Sequence, residues 1–187
     1  MKLLGIVCSP RSGGNTEILV RTALESAEKE GARVELWSIV GKDVNPCDHC
    51  GSCYKTGECH IKDDMQELYP KIKEADGIIL GSPVYFWSVS AQAKLVIDRA
   101  YALRRPIARL EGKIGGAVAV AGRRGQVEAL TLMNTFFLGN GMMPVGLGVD
   151  GRGSEKGEVK QDQRAMTSAI ELGKKMVELI RRSKRSD

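Results

Sequence analysis

Five short apolar runs alternate with five stretches of helical periodicity, and this alternation constrains the fold more than any other feature of the chain. The runs KLLGIVC (2–8), ARVELWSI (32–39), DGIILG (76–81), KIGGAVAVA (113–121) and MMPVGLGV (142–149) read as strands. Several are apolar on successive residues rather than alternate ones, as in parallel strands buried on both faces. Helical spacing marks about 14–30, 63–74, 90–103, 126–138 and 160–182, with Asp63 or Asp64 as the cap of the second. Strand–helix alternation of this kind predicts an α/β, doubly wound, five-stranded parallel sheet of order 2-1-3-4-5, with helices on both faces. Pro144 weakens the fifth strand, and a polar, glycine-rich stretch follows it over 150–157. The 187 residues form one expected domain, 1–187. Only 41–60 is too long for an ordinary connection, and such loops usually carry function.

That loop contains PCDHCGSCYKTGEC, which sets Cys47, Cys50 and Cys53 at successive C-x-x-C steps and Cys59 six residues on. Three thiolates followed by one is a spacing that holds a [4Fe–4S] cluster. Zinc is the competing metal, but structural zinc sites usually pair two C-x-x-C knuckles across a longer spacer. A disulfide reading is weaker, because nothing else in the chain looks secreted. His49 and His60 flank the cysteines and read as exposed loop residues, since four thiolates already complete a site. Cys8 closes the first apolar run alone and reads as a small buried residue.

The start of the chain has too short an apolar stretch for a signal peptide, and no run reaches the length of a membrane span. A cytoplasmic protein without membrane contact is therefore expected. The net charge of +5 owes much to Arg181, Arg182, Lys184 and Arg185, which read as a solvated, frayed terminus. Aromatic residues are scarce and not interleaved with basic ones, so no nucleic-acid partner is expected.

Strand one runs into Ser9-Pro10-Arg11-Ser12-Gly13-Gly14-Asn15-Thr16, directly before a helix. Unpaired backbone N–H groups at a helix start form an anion site, and the hydroxyls of Ser9, Ser12 and Thr16 and the amide of Asn15 add donors. The loop lacks the lysine of a nucleoside-triphosphate loop and the G-x-G-x-x-G of a dinucleotide site. A single terminal phosphate held mostly by neutral donors, as in FMN, fits it; a helix start capped by Ser12 or Asn15 is the plain alternative. After strand three comes Pro83-Val84-Tyr85-Phe86-Trp87-Ser88, at the same sheet edge. Flat apolar walls and backbone donors there suit an isoalloxazine ring, with core packing as the alternative. Gly122 and Gly125, flanking Arg123 and Arg124 after strand four, could contact the flavin's polar side, or form a plain turn with solvated arginines.

With these motifs in hand, the chain resembles the iron–sulfur flavoproteins of anaerobic archaea and bacteria, within the NADPH-dependent FMN reductase superfamily. The resemblance rests on SPRSGGNT at 9–16, the cysteine motif at 47–59 and DDMQELYPKIKEADGIILGSPVYFWSVSAQAKLVIDR at 63–99. It implies a flavodoxin-like fold, bound FMN and a [4Fe–4S] cluster on Cys47, Cys50, Cys53 and Cys59. It also implies exchange of electrons with ferredoxin or a similar donor, a small-molecule acceptor, and a homodimer or homotetramer. The cysteine loop follows strand two and the aromatic loop strand three, both at one sheet edge, so each cluster is expected to serve the flavin of a partner subunit. An NAD(P)H-dependent FMN or quinone reductase without a functional cluster, and a non-catalytic flavodoxin-like carrier, remain the alternatives.

Overall fold

The computed structural model describes residues 1–104 and 106–184; Arg185, one of the expected tail cations, lies outside them. In chain order the elements are β1 (Lys2–Val7), α1 (Asn15–Lys29), β2 (Arg33–Ser38), α2 (Ser52–Thr56), α3 (Met65–Glu74), β3 (Gly77–Tyr85) and β4 (Ser88–Val89). They continue as α4 (Ala91–Arg99), β5 (Ile114–Ala121), α5 (Gln126–Gly139), β6 (Met143–Pro144), β7 (Val149–Arg152) and α6 (Gln163–Ser183). Strands β2, β1, β3, β5 and β6 lie side by side in that order, all parallel, with β7 also parallel to β5. With β6 and β7 counted as the two halves of the fifth strand, this is the expected order.

Alternate residues of β1 serve opposite faces, as strand geometry requires. Leu4 and Ile6 pack with α3, α4 and α5, whereas Leu3 and Val7 pack with α1 and α6. All four are essentially fully buried, which stabilises by roughly 1.5–3 kcal/mol for each such side chain. Among the described residues, no helix is long and apolar enough to cross a membrane. The basic end of α6 is more tied down than a frayed tail: Arg181 donates to the Glu30 carbonyl, Arg182 pairs with Glu178, and Lys184 reaches Asp76 at 2.8 Å.

Three departures from the sequence reading bear on function. The fifth strand is split, because Pro144 has no N–H to donate and Gly146 and Gly148 then turn through φ +60° and +115°. A β-carbon on Gly148 would lie 2.5 Å from the Ala117 carbonyl oxygen, so only glycine allows the chain to rejoin β5 at Val118↔Val149. The third strand does not end at 81; it runs on to Tyr85 and folds back through Phe86–Trp87 into β4. The cysteine loop is not wholly irregular either, since α2 forms inside it between two left-handed glycines, Gly51 and Gly57.

Candidate functional site

The carboxyl ends of β1 and β3 are stitched to the start of α4. The Cys8 N–H donates to the Gly81 carbonyl at 2.8 Å, Ser90 Oγ donates to the Cys8 carbonyl at 2.8 Å, and the Ser90 N–H donates to Ser82 Oγ at 2.9 Å. Cys8 itself is fully buried, as expected, and burial pushes its thiol up to about 12. The loop from Ser9 to Thr16 therefore leaves the sheet beside the aromatic hairpin.

At the start of α1 the cap position falls on Gly14, and no side chain caps the helix. The capped-helix alternative, with Ser12 or Asn15 as cap, is thereby corrected. The first N–H groups of α1 remain uncapped by any side chain, and the hydroxyls of Ser12 and Thr16 have no partner among the described residues. Ser9 Oγ accepts from the Arg11 N–H at 3.2 Å. One donor is already taken: the Gly13 N–H donates to the buried Glu17 carboxylate at 2.8 Å. Burial alone would raise the Glu17 carboxyl, but the Gly13 N–H and then Arg21 outweigh it and hold it below the ordinary range.

Asn15 departs from expectation. Its side-chain nitrogen donates to the Glu155 carbonyl at 2.8 Å, and its side-chain oxygen accepts from the N–H groups of Gly157 and Val159. The amide is thus committed to a turn about 140 residues away in sequence, and only the backbone N–H of Asn15 is left to face an anion. Arg11 likewise donates to the Ser154 carbonyl at 2.8 Å. Together these contacts fold the polar stretch after β7 over the 9–16 loop. Lys156 comes with it: a β-carbon on Gly13 would lie 3.4 Å from Lys156 Nζ. Sequence reasoning expected mostly neutral donors and missed this ammonium. The signal available was the polar, glycine-rich run at 150–157, which carries no local mark of a partner in the 9–16 loop.

The hairpin presents Tyr85, Phe86 and Trp87 at 45%, 99% and 55% exposure, so core packing is excluded for all three. Pro83, Val84 and Ser88 are half-buried beneath them. Phe86 and Trp87 sit at φ +49° and +68°, a left-handed pair that bulky side chains rarely adopt. Strain of this kind, about 1–3 kcal/mol per residue, clusters at ligand-binding positions. Gly125 supports the turn from below at φ +98°, where a β-carbon would meet Val84 Cγ1 at 2.8 Å and Trp87 Cα at 3.1 Å. Gly122 abuts Ser154, whose hydroxyl would be 2.4 Å from its β-carbon. Both glycines therefore border this crevice, while Arg123 and Arg124 are exposed.

The four cysteines of the loop are brought together. Cys47, Cys50, Cys53 and Cys59 line one narrow cavity of about 40 Å³, closed by Asp98, Arg99, Tyr101 and Ala102 at the C-terminal end of α4. All are free thiols. Burial, and then the nearby Cys59, Cys47 and Cys50, push the Cys53 thiol above its ordinary value. Both stems of the loop are gripped by Arg99, whose Nη1 donates to the Asn45 carbonyl at 2.8 Å and whose Nη2 donates to the Ile61 carbonyl at 3.4 Å. Arg99 also pairs bidentately with Asp63, which in turn accepts the Met65 N–H; the cap position of α3 falls on Asp64, whose side chain makes no capping bond. Arg109 holds the Gly57 carbonyl at 2.8 Å, and exposed His60 meets Asp48 at 2.7 Å.

Among the described residues, the only three candidate ligand atoms within 4.8 Å of one another belong to Asp48, Cys50 and His60, and no such group contains three of the thiols. Tetrahedral zinc, at about 2.3 Å from each sulfur, needs its sulfurs roughly 3.8 Å apart. A cubane, with one thiolate on each of four separate irons, needs a wider set, and four thiols around one cavity supply the donors for it.

Comparison with known proteins gives the family and the fold. The family model described as NADPH-dependent FMN reductase matches residues 1–150. An iron–sulfur flavoprotein of Methanocaldococcus jannaschii is 44% identical over 97% of this chain and 98% of its own length. One from Archaeoglobus fulgidus is 38% identical over 95% of this chain and 96% of its own. Among solved structures, RosB with a bound riboflavin-phosphate intermediate superposes with a TM-score of 0.79 over 99% of this chain and 81% of that one. At 17% identity that likeness speaks for the fold alone, and the fold is flavodoxin-like.

Proposed function

Because the chain belongs to the NADPH-dependent FMN reductase family, we propose that it is an FMN-dependent oxidoreductase carrying a [4Fe–4S] cluster on Cys47, Cys50, Cys53 and Cys59. It takes electrons from ferredoxin or a similar one-electron donor and delivers them to a small-molecule acceptor. The observation that carries this reading is the convergence of four free thiols in one cavity, in a chain whose uncapped α1 start lies near an exposed aromatic hairpin at the same sheet edge.

The phosphate would meet the uncapped N–H groups of α1, the hydroxyls of Ser9, Ser12 and Thr16, and the Lys156 ammonium. Arg11 and Asn15 support that loop by anchoring the 154–157 turn to it. Pro83, Val84, Tyr85, Phe86, Trp87 and Ser88 would wall the ring, with Gly122 and Gly125 leaving room along its edge. When bound, FMN exchanges one or two electrons and the cluster one at a time, so together they match a one-electron donor to a two-electron acceptor. Exposed Cys47 and Cys50 leave that pocket approachable from outside, where a wide groove runs between the cysteine loop, α4 and α5. The hairpin borders Ser90 at one end of α4 and the thiol pocket adjoins Arg99 at the other, about 13 Å apart at 1.5 Å per residue. A homodimer or dimer of dimers that sets one protomer's thiol pocket against its partner's hairpin would shorten that path.

The reading is tested by anaerobic purification followed by iron, acid-labile sulfide and flavin analysis. Four irons and four sulfides per FMN are expected, with turnover of a small acceptor on reduced ferredoxin. Zinc in the thiol pocket would leave the cluster-free reductase, and absence of acceptor turnover would leave a carrier.

A further inference from the structure

Arg99 is the largest side chain that the fold buries completely. Its two terminal nitrogens are fully engaged, by Asp63 and by the carbonyls of Asn45 and Ile61. Its Nε is not: it is buried and has no acceptor among the described residues, where the Gln92 side-chain oxygen, which lacks a donor, is the one other buried side-chain atom without a partner. Buried donors in folded proteins nearly always find acceptors, so an orphan N–H needs an explanation. Here the same residue lines the cavity formed by the four cysteines. Thiolate and sulfide sulfurs are the acceptors that a filled pocket would bring to it.

We infer that Arg99 is a positioning residue for the cluster, whose Nε–H donates to a cluster sulfur while its other nitrogens hold the two stems of the cysteine loop. This rests on the proposed cluster and adds to it a residue outside the ligand set. A hydrogen bond to sulfur favours the more negative, reduced state and raises the potential. A guanidinium is suited to the task because its planar fork can bind Asp63 on one side and still direct Nε–H elsewhere. Lysine in its place keeps the positive charge opposite Asp63 but loses the fork and that directed donor.

The test uses the reduced, cluster-loaded protein with isotopically labelled arginine nitrogens, examined by electron–nuclear double resonance. A hyperfine coupling from an arginine nitrogen to the cluster is expected, lost in Arg99→Lys, together with a negative shift in the potential of the clusters that the variant retains. A fully loaded wild-type cluster with no arginine coupling, or a coupling and potential unaltered in Arg99→Lys, overturns the inference and leaves the cluster reading intact. Should the variant fail to fold, the wild-type coupling decides alone: its presence supports the inference and its absence refutes it. Wild-type protein that holds no iron or sulfide refutes both.

Discussion

At the scale of single residues, the phosphate loop contrasts two side chains that reach it from opposite directions. Asn15 is buried and satisfies two backbone N–H groups of the 157–159 turn, whereas Lys156 is exposed and offers charge. Asn15→Ala leaves those donors buried without a partner, at a cost of about 2 kcal/mol of stability, and loosens the turn that carries Lys156. Lys156→Ala should leave stability unchanged and weaken FMN binding by about 0.5–1 kcal/mol, an effect that shrinks at high salt. Denaturant midpoints and flavin-fluorescence titrations at two ionic strengths check both. Equal loss of stability in the two variants would contradict this assignment of roles. Neither role was legible in the sequence. Asn15 had been read as a ligand donor because it sits beside glycines at a helix start, and nothing local announces a partner about 140 positions downstream.

At the scale of elements, the hairpin joining β3 to β4 holds a backbone conformation against local preference. A two-residue turn with both centres left-handed suits the twist of a hairpin, but it asks for Asn or Gly, and this chain uses Phe86 and Trp87. Phe86→Gly should therefore raise stability by roughly 1 kcal/mol, since the aromatic ring is almost wholly exposed and contributes little packing. The same change should weaken flavin binding severalfold. A variant that gains stability and keeps its flavin affinity would show that the ring plays no part in the site. The exposed aromatic cluster was visible in the sequence. Its hairpin geometry was not, because the turn violates the residue preferences by which hairpins are read. For the opposite reason α2 went unseen: five residues between two glycines carry too little periodicity to register.

At the scale of the whole molecule, the Arg99–Asp63 pair connects α4, α3 and both stems of the cysteine loop. Burial would raise the Asp63 carboxyl, but the Arg99 hydrogen bonds and the Asn45 N–H outweigh it and hold it below the ordinary range. A depressed carboxyl contributes stability that is fully present above its unfolded value, about 3.9, and lost as pH falls through the lower folded value. The thermal midpoint of the wild type should accordingly stand above that of Asp63→Asn at neutral pH, and the gap should close in acid. A gap independent of pH would assign the effect to packing rather than charge. What the amino-acid order determined unaided was set by short-range physics. Strands and helices followed from the period of their apolar residues, the uncapped start of α1 from small residues before a helix, and the gathering of the four thiols from their spacing in one loop. What only the tertiary structure decided depends on residues far apart in sequence that the sheet order brings together: Lys156 over Gly13, Asn15 on the 155–159 turn, and Arg99 between Asn45 and Ile61. No local pattern encodes those meetings, because the free energy that selects them comes from burying the whole core at once.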